Sequence, residues 1–205
     1  MTGVAVPAPY VDPAAPALLA GAPTPRRALF LDRDGVVNVD HAYVHSEAET
    51  DWIPGIFTLV AEAAAAGYLP IVVTNQAGIA RGLYDAATFE RYTAWVHSEF
   101  AARGAPLLAT YHCPHHPTAG IGGLRVACGC RKPAPGMLLR AMRDWDLSPS
   151  ASLLLGDQPS DLAAARAAGV GRAIEVRGGR LPDRAALTLG GAGSGRGPAV
   201  PGVSG

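Results

Sequence analysis

Leu29-Phe30-Leu31-Asp32-Arg33-Asp34-Gly35-Val36 is the stretch that decides the fold. Apolar residues run from Ala28 to Leu31, two carboxylates follow at alternate positions, and a glycine closes the stretch. A short apolar run that stops in acids and Gly reads as a buried parallel strand ending at a functional rim. In an open α/β sheet, ligands gather beyond the carboxyl ends of the strands, so Asp32 and Asp34 stand where a site is expected. Carboxylates this close repel each other unless a cation or a shared proton relieves them. An acidic turn before Gly has the same local composition, so the later strand ends must decide.

Outward from that stretch, strand and helix patterns alternate. Apolar residues at helical spacing over Ile56 to Ala66, stopped by Gly67, predict a helix. Leu69 to Val73 predicts a second strand, which stops in Thr74-Asn75-Gln76-Ala77-Gly78. Asp85 caps a helix expected from Ala86 to Arg103, with Phe89, Tyr92, Trp95, Val96 and Phe100 as its apolar stripe. His97 reads as an ordinary helix residue. Leu107 to Tyr111 predicts a third strand leading into a cysteine-bearing loop. A helix is expected from Pro135 to Trp145, then a strand over Ser152 to Leu155 that ends in Gly156-Asp157-Gln158-Pro159-Ser160-Asp161. Leu162 to Ala168 reads as helix and Arg172 to Val176 as a fifth strand. The alternation predicts a doubly wound, mostly parallel sheet with helices on both faces. Apart from the cysteine loop the chain has no large insertion, so no cap domain is expected.

The chain of 205 residues can bury one sizeable core, and its 17 basic and 17 acidic residues balance. No basic excess invites nucleic acid or a membrane surface, and no apolar run approaches the roughly 20 residues of a membrane span. Residues 1–25 are rich in Pro and Ala and predict a disordered leader. The folded domain is expected over 26–184, with a flexible Gly-rich tail over 185–205. Three cysteines clustered in one loop argue against a secreted disulfide framework and for a metal in a reducing, cytoplasmic compartment.

Four polar clusters fall at or near strand ends: Asp32/Asp34, Thr74/Asn75, Lys132 and Asp157/Asp161. Carboxylates facing one another call for a hard cation, and Mg²⁺ with oxygen ligands fits best. Lys132 and Thr74 can bind an anion beside it, a combination suited to phosphoryl transfer. Separately, Cys113-Pro114-His115 and Cys128-Gly129-Cys130 make a Cys-x-His and Cys-x-Cys pair, a closed set for a structural, tetrahedral Zn²⁺ over the 113–130 loop. His112 and His116 fit that spacing less well than His115.

The order Asp-x-Asp-Gly, Thr-Asn, Lys-Pro, Gly-Asp-x-x-x-Asp resembles the haloacid dehalogenase superfamily of aspartyl-phosphate phosphatases. The resemblance implies a Rossmann-like fold in which Asp32 is the nucleophile and Asp34 the general acid and base. It implies that the Arg33 backbone lies near the transferred phosphoryl group, and that Thr74 and Lys132 hold its oxygens. It also implies Mg²⁺ on the Asp32 carboxylate, the Asp34 carbonyl and Asp157, with Asp161 orienting these groups or, less in keeping with the pattern, binding the ion directly.

Asn38-Val39-Asp40-His41, Tyr43-Val44-His45, Thr74-Asn75-Gln76, Gly78-Ile79-Ala80-Arg81-Gly82, Cys113-Pro114-His115-His116-Pro117 and Cys130-Arg131-Lys132-Pro133 narrow the resemblance. Together with the long His115-to-Cys128 interval, they are similar to the D-glycero-D-manno-heptose-1,7-bisphosphate 7-phosphatase family. Histidinol-phosphate phosphatases stand as the alternative. The heptose family implies removal of the C7 phosphate, leaving heptose 1-phosphate for nucleotide-activated heptose synthesis. Asp40, His41, Ala42 and Tyr43 would then line the sugar pocket, and Asn75, Gln76 and Ala77 would sit beside the scissile phosphate. Arg131 would grip the distal phosphate, where its planar fork suits a phosphate better than lysine does. Gln158 occupies a position where the family pattern expects lysine. A receiver domain also combines paired acids, Thr and Lys, but its phosphoacceptor follows a later strand. The expectation is a monomer acting on a small phosphorylated sugar, with no nucleic-acid or membrane partner.

Overall fold

The computed structural model describes residues 4–183. Its strands are β1 (Tyr10–Val11), β2 (Arg27–Leu31), β3 (Tyr68–Asn75), β4 (Ala109–Cys113), β5 (Leu153–Gly156) and β6 (Arg172–Glu175). The helices are α1 (Ala15–Ala20), α2 (Ile56–Ala65), α3 (Ala77–Ala80), α4 (Ala86–Ala102), α5 (Gly136–Trp145) and α6 (Pro159–Ala167). The six strands form one sheet in the order β1-β4-β3-β2-β5-β6. Every pairing is parallel except that of β1 with β4.

Alternation along β2 serves two cores. Leu29 and Leu31 pack with Val72, Leu153 and Leu155 against Ile56, Val60, Val96 and Phe100 of α2 and α4. Ala28 and Phe30 face the other way, with Ile71, Val73 and Leu154, against Met137, Leu138, Ala164 and Ala165 of α5 and α6. Both faces of the sheet are therefore covered, which is why its central strands are apolar throughout. From β2 the chain winds outward through β3 and β4, then returns to lay β5 on β2's other side. That reversal opens a crevice at the carboxyl ends of β2 and β5.

Several boundaries differ from expectation, and three of them have a local reason. The third strand starts at Ala109 and runs to Cys113, because pairing with β3 begins at Ile71↔Ala109 and ends at Asn75↔Cys113. Cys113 is thus anchored at a strand end. α6 starts at Pro159 because Asp161 reaches back to accept the Gln158 backbone N–H at 3.0 Å, satisfying a donor at the helix start. The largest difference is in the stretch expected to be a disordered leader. Tyr10–Val11 pairs antiparallel with Thr110 and Ala109, and α1 lays Ala15, Leu18 and Leu19 on the second core. The tail expected over 185–205 lies outside the described residues.

His97 explains that ordering and is more than an ordinary helix residue. Its buried Nδ1 lies 2.8 Å from Asp12 Oδ2 and its Nε2 2.9 Å from Thr110 Oγ1. It therefore ties the N-terminal segment to α4 and β4. Composition missed this because the lock joins residues far apart in sequence.

Burial holds the His97 pKa below its ordinary value, although Asp12 opposes the shift. The unfolded chain then takes up a proton that the folded chain resists. The stability is fully present above about pH 6.5 and is lost as pH falls below it. The melting temperature is expected to fall between pH 7 and pH 5. His97→Ala is expected to flatten that dependence and, by leaving Asp12 and Thr110 without this partner, to cost about 2–3 kcal/mol at pH 7 in denaturant titration.

Candidate active site

The crevice is a cavity of about 460 Å³. β2 delivers Asp32 and Asp34 to it, and the chain then turns at Gly35, whose φ is +90°. A Cβ there would stand 2.4 Å from Asp157 Oδ2, so only glycine lets the turn pass the β5 end. Asp32 is buried, and its Oδ1 accepts the Arg33 N–H at 2.7 Å while facing Lys132 Nζ at 2.8 Å.

Lys132 is the centre of the site. Its buried Nζ also lies 2.8 Å from Asp161 Oδ1 and donates to the Val73 carbonyl at 2.8 Å, so three partners match its three hydrogens. The lysine backbone is clamped as well. Asn75 accepts the Lys132 N–H at 3.0 Å and donates to the Lys132 carbonyl at 3.1 Å. The Asn75 side chain is thereby spent on holding Lys132.

Asp34 is held from several sides. The Arg33 guanidinium engages both its oxygens, at 3.0 and 2.9 Å, and also donates to the Val44 carbonyl. Asn38 donates to Asp34 Oδ1 at 3.0 Å and Gln76 to Oδ2 at 3.1 Å. Gln76 also donates to Thr74 Oγ1 at 2.8 Å.

The charge balance asks for a cation. Burial pushes the Asp32 carboxyl up to about 7, with Lys132 opposing the shift and Asp161 and Asp34 adding to it. Burial likewise raises Asp157. For Lys132, burial works against the charged form, but Asp32 and Asp161 outweigh it and the pKa rises. Oxygens of Asp32, Asp157 and Asp161 lie within 4.8 Å of one another, close enough to share an ion. Asp161 spends its oxygens on Lys132 and on the Gln158 N–H. Asp157 Oδ2 accepts from Gln158, whereas its Oδ1 is buried and makes no hydrogen bond among the described residues. A buried oxygen in that state fits a metal ligand.

The opposite wall belongs to the loops. Asp40, Ala42 and Tyr43 line it, as do Ala77, Arg131 and Gln158. Ala42 and Tyr43 both adopt left-handed backbone, with φ of 61° and 60°, a conformation costly for residues with a Cβ. Asp40 supports the turn by accepting the Ala42 N–H at 2.9 Å. Of the expected binding residues, His41 does not bring its side chain to the cavity, and Arg33, expected to act through its backbone, does not line it with its side chain either. The Arg33 side chain turns inward to Asp34, and His41 turns outward to Asp51 at 2.8 Å. Arg81, Tyr84, His116 and Ser160 line the cavity without having been singled out. The Gly-Ile-Ala-Arg-Gly fragment was a signal for Arg81. Nothing in the sequence sets His116 apart from a competing metal ligand.

A second cluster stands beside Arg131. Cys113, Cys128 and Cys130 are free thiols with Sγ–Sγ separations of 3.2–3.5 Å, and His115 Nδ1 lies 3.3 Å from Cys130 Sγ. Four soft donors gathered this closely fit one tetrahedral ion. Hydrogen bonds with Cys113, Cys128 and His115 hold the Cys130 pKa down to about 5, while the same pairing with Cys130 and burial push Cys113 up. The other two histidines face elsewhere. His112 packs on Phe89 with ring centroids 4.4 Å apart, and His116 Nδ1 accepts the Ala119 N–H at 2.9 Å.

Comparison with known proteins gives concordant matches. Residues 129–189 match a HAD-hydrolase-like family model. Over 150 residues the chain is 51% identical to a D-glycero-α-D-manno-heptose-1,7-bisphosphate 7-phosphatase of Burkholderia mallei, covering 73% of this chain and 79% of that protein. It is 46% identical to the β-anomer enzyme of Vibrio cholerae, covering 75% of this chain and 82% of that protein. Among solved structures, a D,D-heptose 1,7-bisphosphate phosphatase from B. bronchiseptica, complexed with magnesium and phosphate, matches at TM-score 0.63 and 37% identity. That match covers 71% of this chain and 78% of the other. A HAD-like phosphatase from Mesorhizobium loti matches at TM-score 0.68 and 37% identity, over 74% and 71% of the two chains.

Asp161→Ala removes one partner of a buried ion pair and leaves Lys132 partly uncompensated. The expected loss is about 3–5 kcal/mol of unfolding free energy, read by denaturant titration.

Proposed function

The chain belongs to the D-glycero-D-manno-heptose-1,7-bisphosphate 7-phosphatase family of HAD-like hydrolases, and from that premise we propose the role of each group in a phosphatase that hydrolyses the C7 phosphate of heptose 1,7-bisphosphate. The observation that carries the reading is Lys132 Nζ, 2.8 Å from both Asp32 and Asp161 at the mouth of the crevice. With one oxygen fixed by Lys132 and the Arg33 N–H, the Asp32 carboxylate keeps a single direction of approach to phosphorus.

Asp32 attacks phosphorus, the Asp32–phosphorus bond forms, and the bond from phosphorus to the C7 oxygen breaks. Asp34 gives that oxygen its proton. Water then attacks the aspartyl phosphate and Asp34 takes the water's proton back. The Asp32–phosphorus bond breaks and inorganic phosphate leaves. Thr74 and Lys132 hold phosphoryl oxygens through both steps. Asp32, the Asp34 carbonyl and Asp157 would hold Mg²⁺, whose charge neutralises the phosphoryl oxygens as they are transferred. Asp161 then positions Lys132 and the start of α6. Arg131 faces the distal phosphate, and Arg81 also lines the cavity. Asp40, Ala42 and Tyr43 shape the sugar end, and His41 acts only through the loop's backbone.

Cys113, His115, Cys128 and Cys130 would hold a structural Zn²⁺ that keeps the long loop, and hence Arg131 and Lys132, in place. Three cysteines gathered as metal ligands rather than paired in disulfides support a reducing, cytoplasmic setting, and the enzyme acts as a monomer. Among the described residues no helix is long and apolar enough to cross a membrane.

Phosphate release with Mg²⁺ should be fastest with an anomer of heptose 1,7-bisphosphate and much slower with fructose 1,6-bisphosphate or histidinol phosphate. A preference for histidinol phosphate would overturn the assignment. Assaying both anomers decides between the specificities of the two relatives. Asp32→Asn should lower turnover by roughly 10⁴-fold or more while the chain still folds and keeps its zinc. Purified protein should carry about one zinc per chain. Cys130→Ser should lose that zinc and melt at lower temperature.

A further inference from the structure

Tyr84 is a buried phenol beside the acid–base carboxylate that the chemistry above leaves without a task. Its hydroxyl donates to Gln76 Oε1 at 2.5 Å. The amide nitrogen of the same side chain donates to Thr74 Oγ1 at 2.8 Å and to Asp34 Oδ2 at 3.1 Å. Every polar atom of Gln76's side chain is therefore engaged, and its orientation is set by what each partner can accept or give. A flipped amide would turn its oxygen towards the Asp34 carboxylate and its N–H₂ towards a phenol that is already a donor.

The tyrosine ring is itself held in register. Gly78 leaves the space it occupies, since a Cβ there would lie 2.3 Å from Tyr84 Cε1. His45 stacks on the ring with centroids 4.7 Å apart and planes 12° apart. Burial, partly opposed by Arg33, pushes the Tyr84 pKa up to about 12, so the phenol keeps its proton and remains a donor.

We infer that Tyr84 is a positioning residue for proton transfer: its hydroxyl locks the Gln76 amide, and the locked amide aims Asp34 at the leaving oxygen. The inference rests on the phosphatase reading above, and it makes Tyr84 act on Asp34 only through Gln76. Loss of the hydroxyl leaves the ring and its packing but frees the amide to turn. Asp34 then loses a donor and meets a carbonyl oxygen in the flipped state.

A leaving group that needs a proton must feel this loss more than one that does not. For Tyr84→Phe, kcat/KM for heptose 1,7-bisphosphate should fall about fivefold, in line with one hydrogen bond. The same variant should lose less than twofold with p-nitrophenyl phosphate, whose phenolate departs unprotonated. In a Gln76→Ala background, Tyr84→Phe should change neither substrate further. Equal losses on the two substrates, or a full additional loss in the Gln76→Ala background, would overturn the positioning role while leaving the phosphatase reading intact. Absence of wild-type phosphatase activity on both substrates would instead overturn the reading itself and the inference with it.

Discussion

A single buried ammonium holds this site together. Lys132 lies among Asp32, Asp161 and the Val73 carbonyl, each 2.8 Å away. Burying that charge would cost several kcal/mol without its carboxylate partners. With them it joins the ends of β2, β3 and α6 in one small volume. The acids still outnumber it, because Asp157 adds a carboxylate beside the same cluster. A divalent cation relieves that excess. The crowding that destabilises the acids as neighbours is what a cation between them would relieve.

The rest of the fold supplies what that cluster needs. Parallel strands covered on both faces leave their carboxyl ends as the place where polar groups can gather. The reversal of strand order puts Asp32 beside Asp157 although they are far apart in sequence. β4 ends in Cys113, so the thiol cluster grows directly from the sheet, and Cys130 precedes Arg131 and Lys132 by only one and two positions. Order in the cysteine loop is thus transmitted to the lysine over a very short length of backbone. Asn75 completes the connection by bonding both to the N–H and to the carbonyl of Lys132.

Among the described residues no cap domain covers the site, and short loops replace one. Left-handed backbone at Ala42 and Tyr43 turns the first loop over the crevice. The stack of His45 on Tyr84 joins that loop to the segment after β3. Through Gln76, the same tyrosine reaches Asp34 and Thr74. Loop packing and the hydrogen bonds of Asp34 and Thr74 therefore meet at one tyrosine.

The sequence by itself determined the doubly wound sheet, the four acids with Lys132, and the Cys-x-His and Cys-x-Cys set. Each is a local signal: apolar strands alternating with helical patterns, and polar residues clustered where strands stop. Only the tertiary structure decided which side chains face the cavity. His41 sits in the expected loop, yet its contact with Asp51 turns its side chain away from the cavity. Tyr84 and His116 enter because loops far apart in sequence converge on the cavity. The ordered segment before β2 was illegible for the same reason. Its Pro- and Ala-rich composition carries no fold signal, and its order depends on β4 pairing and on a buried histidine 85 positions from Asp12.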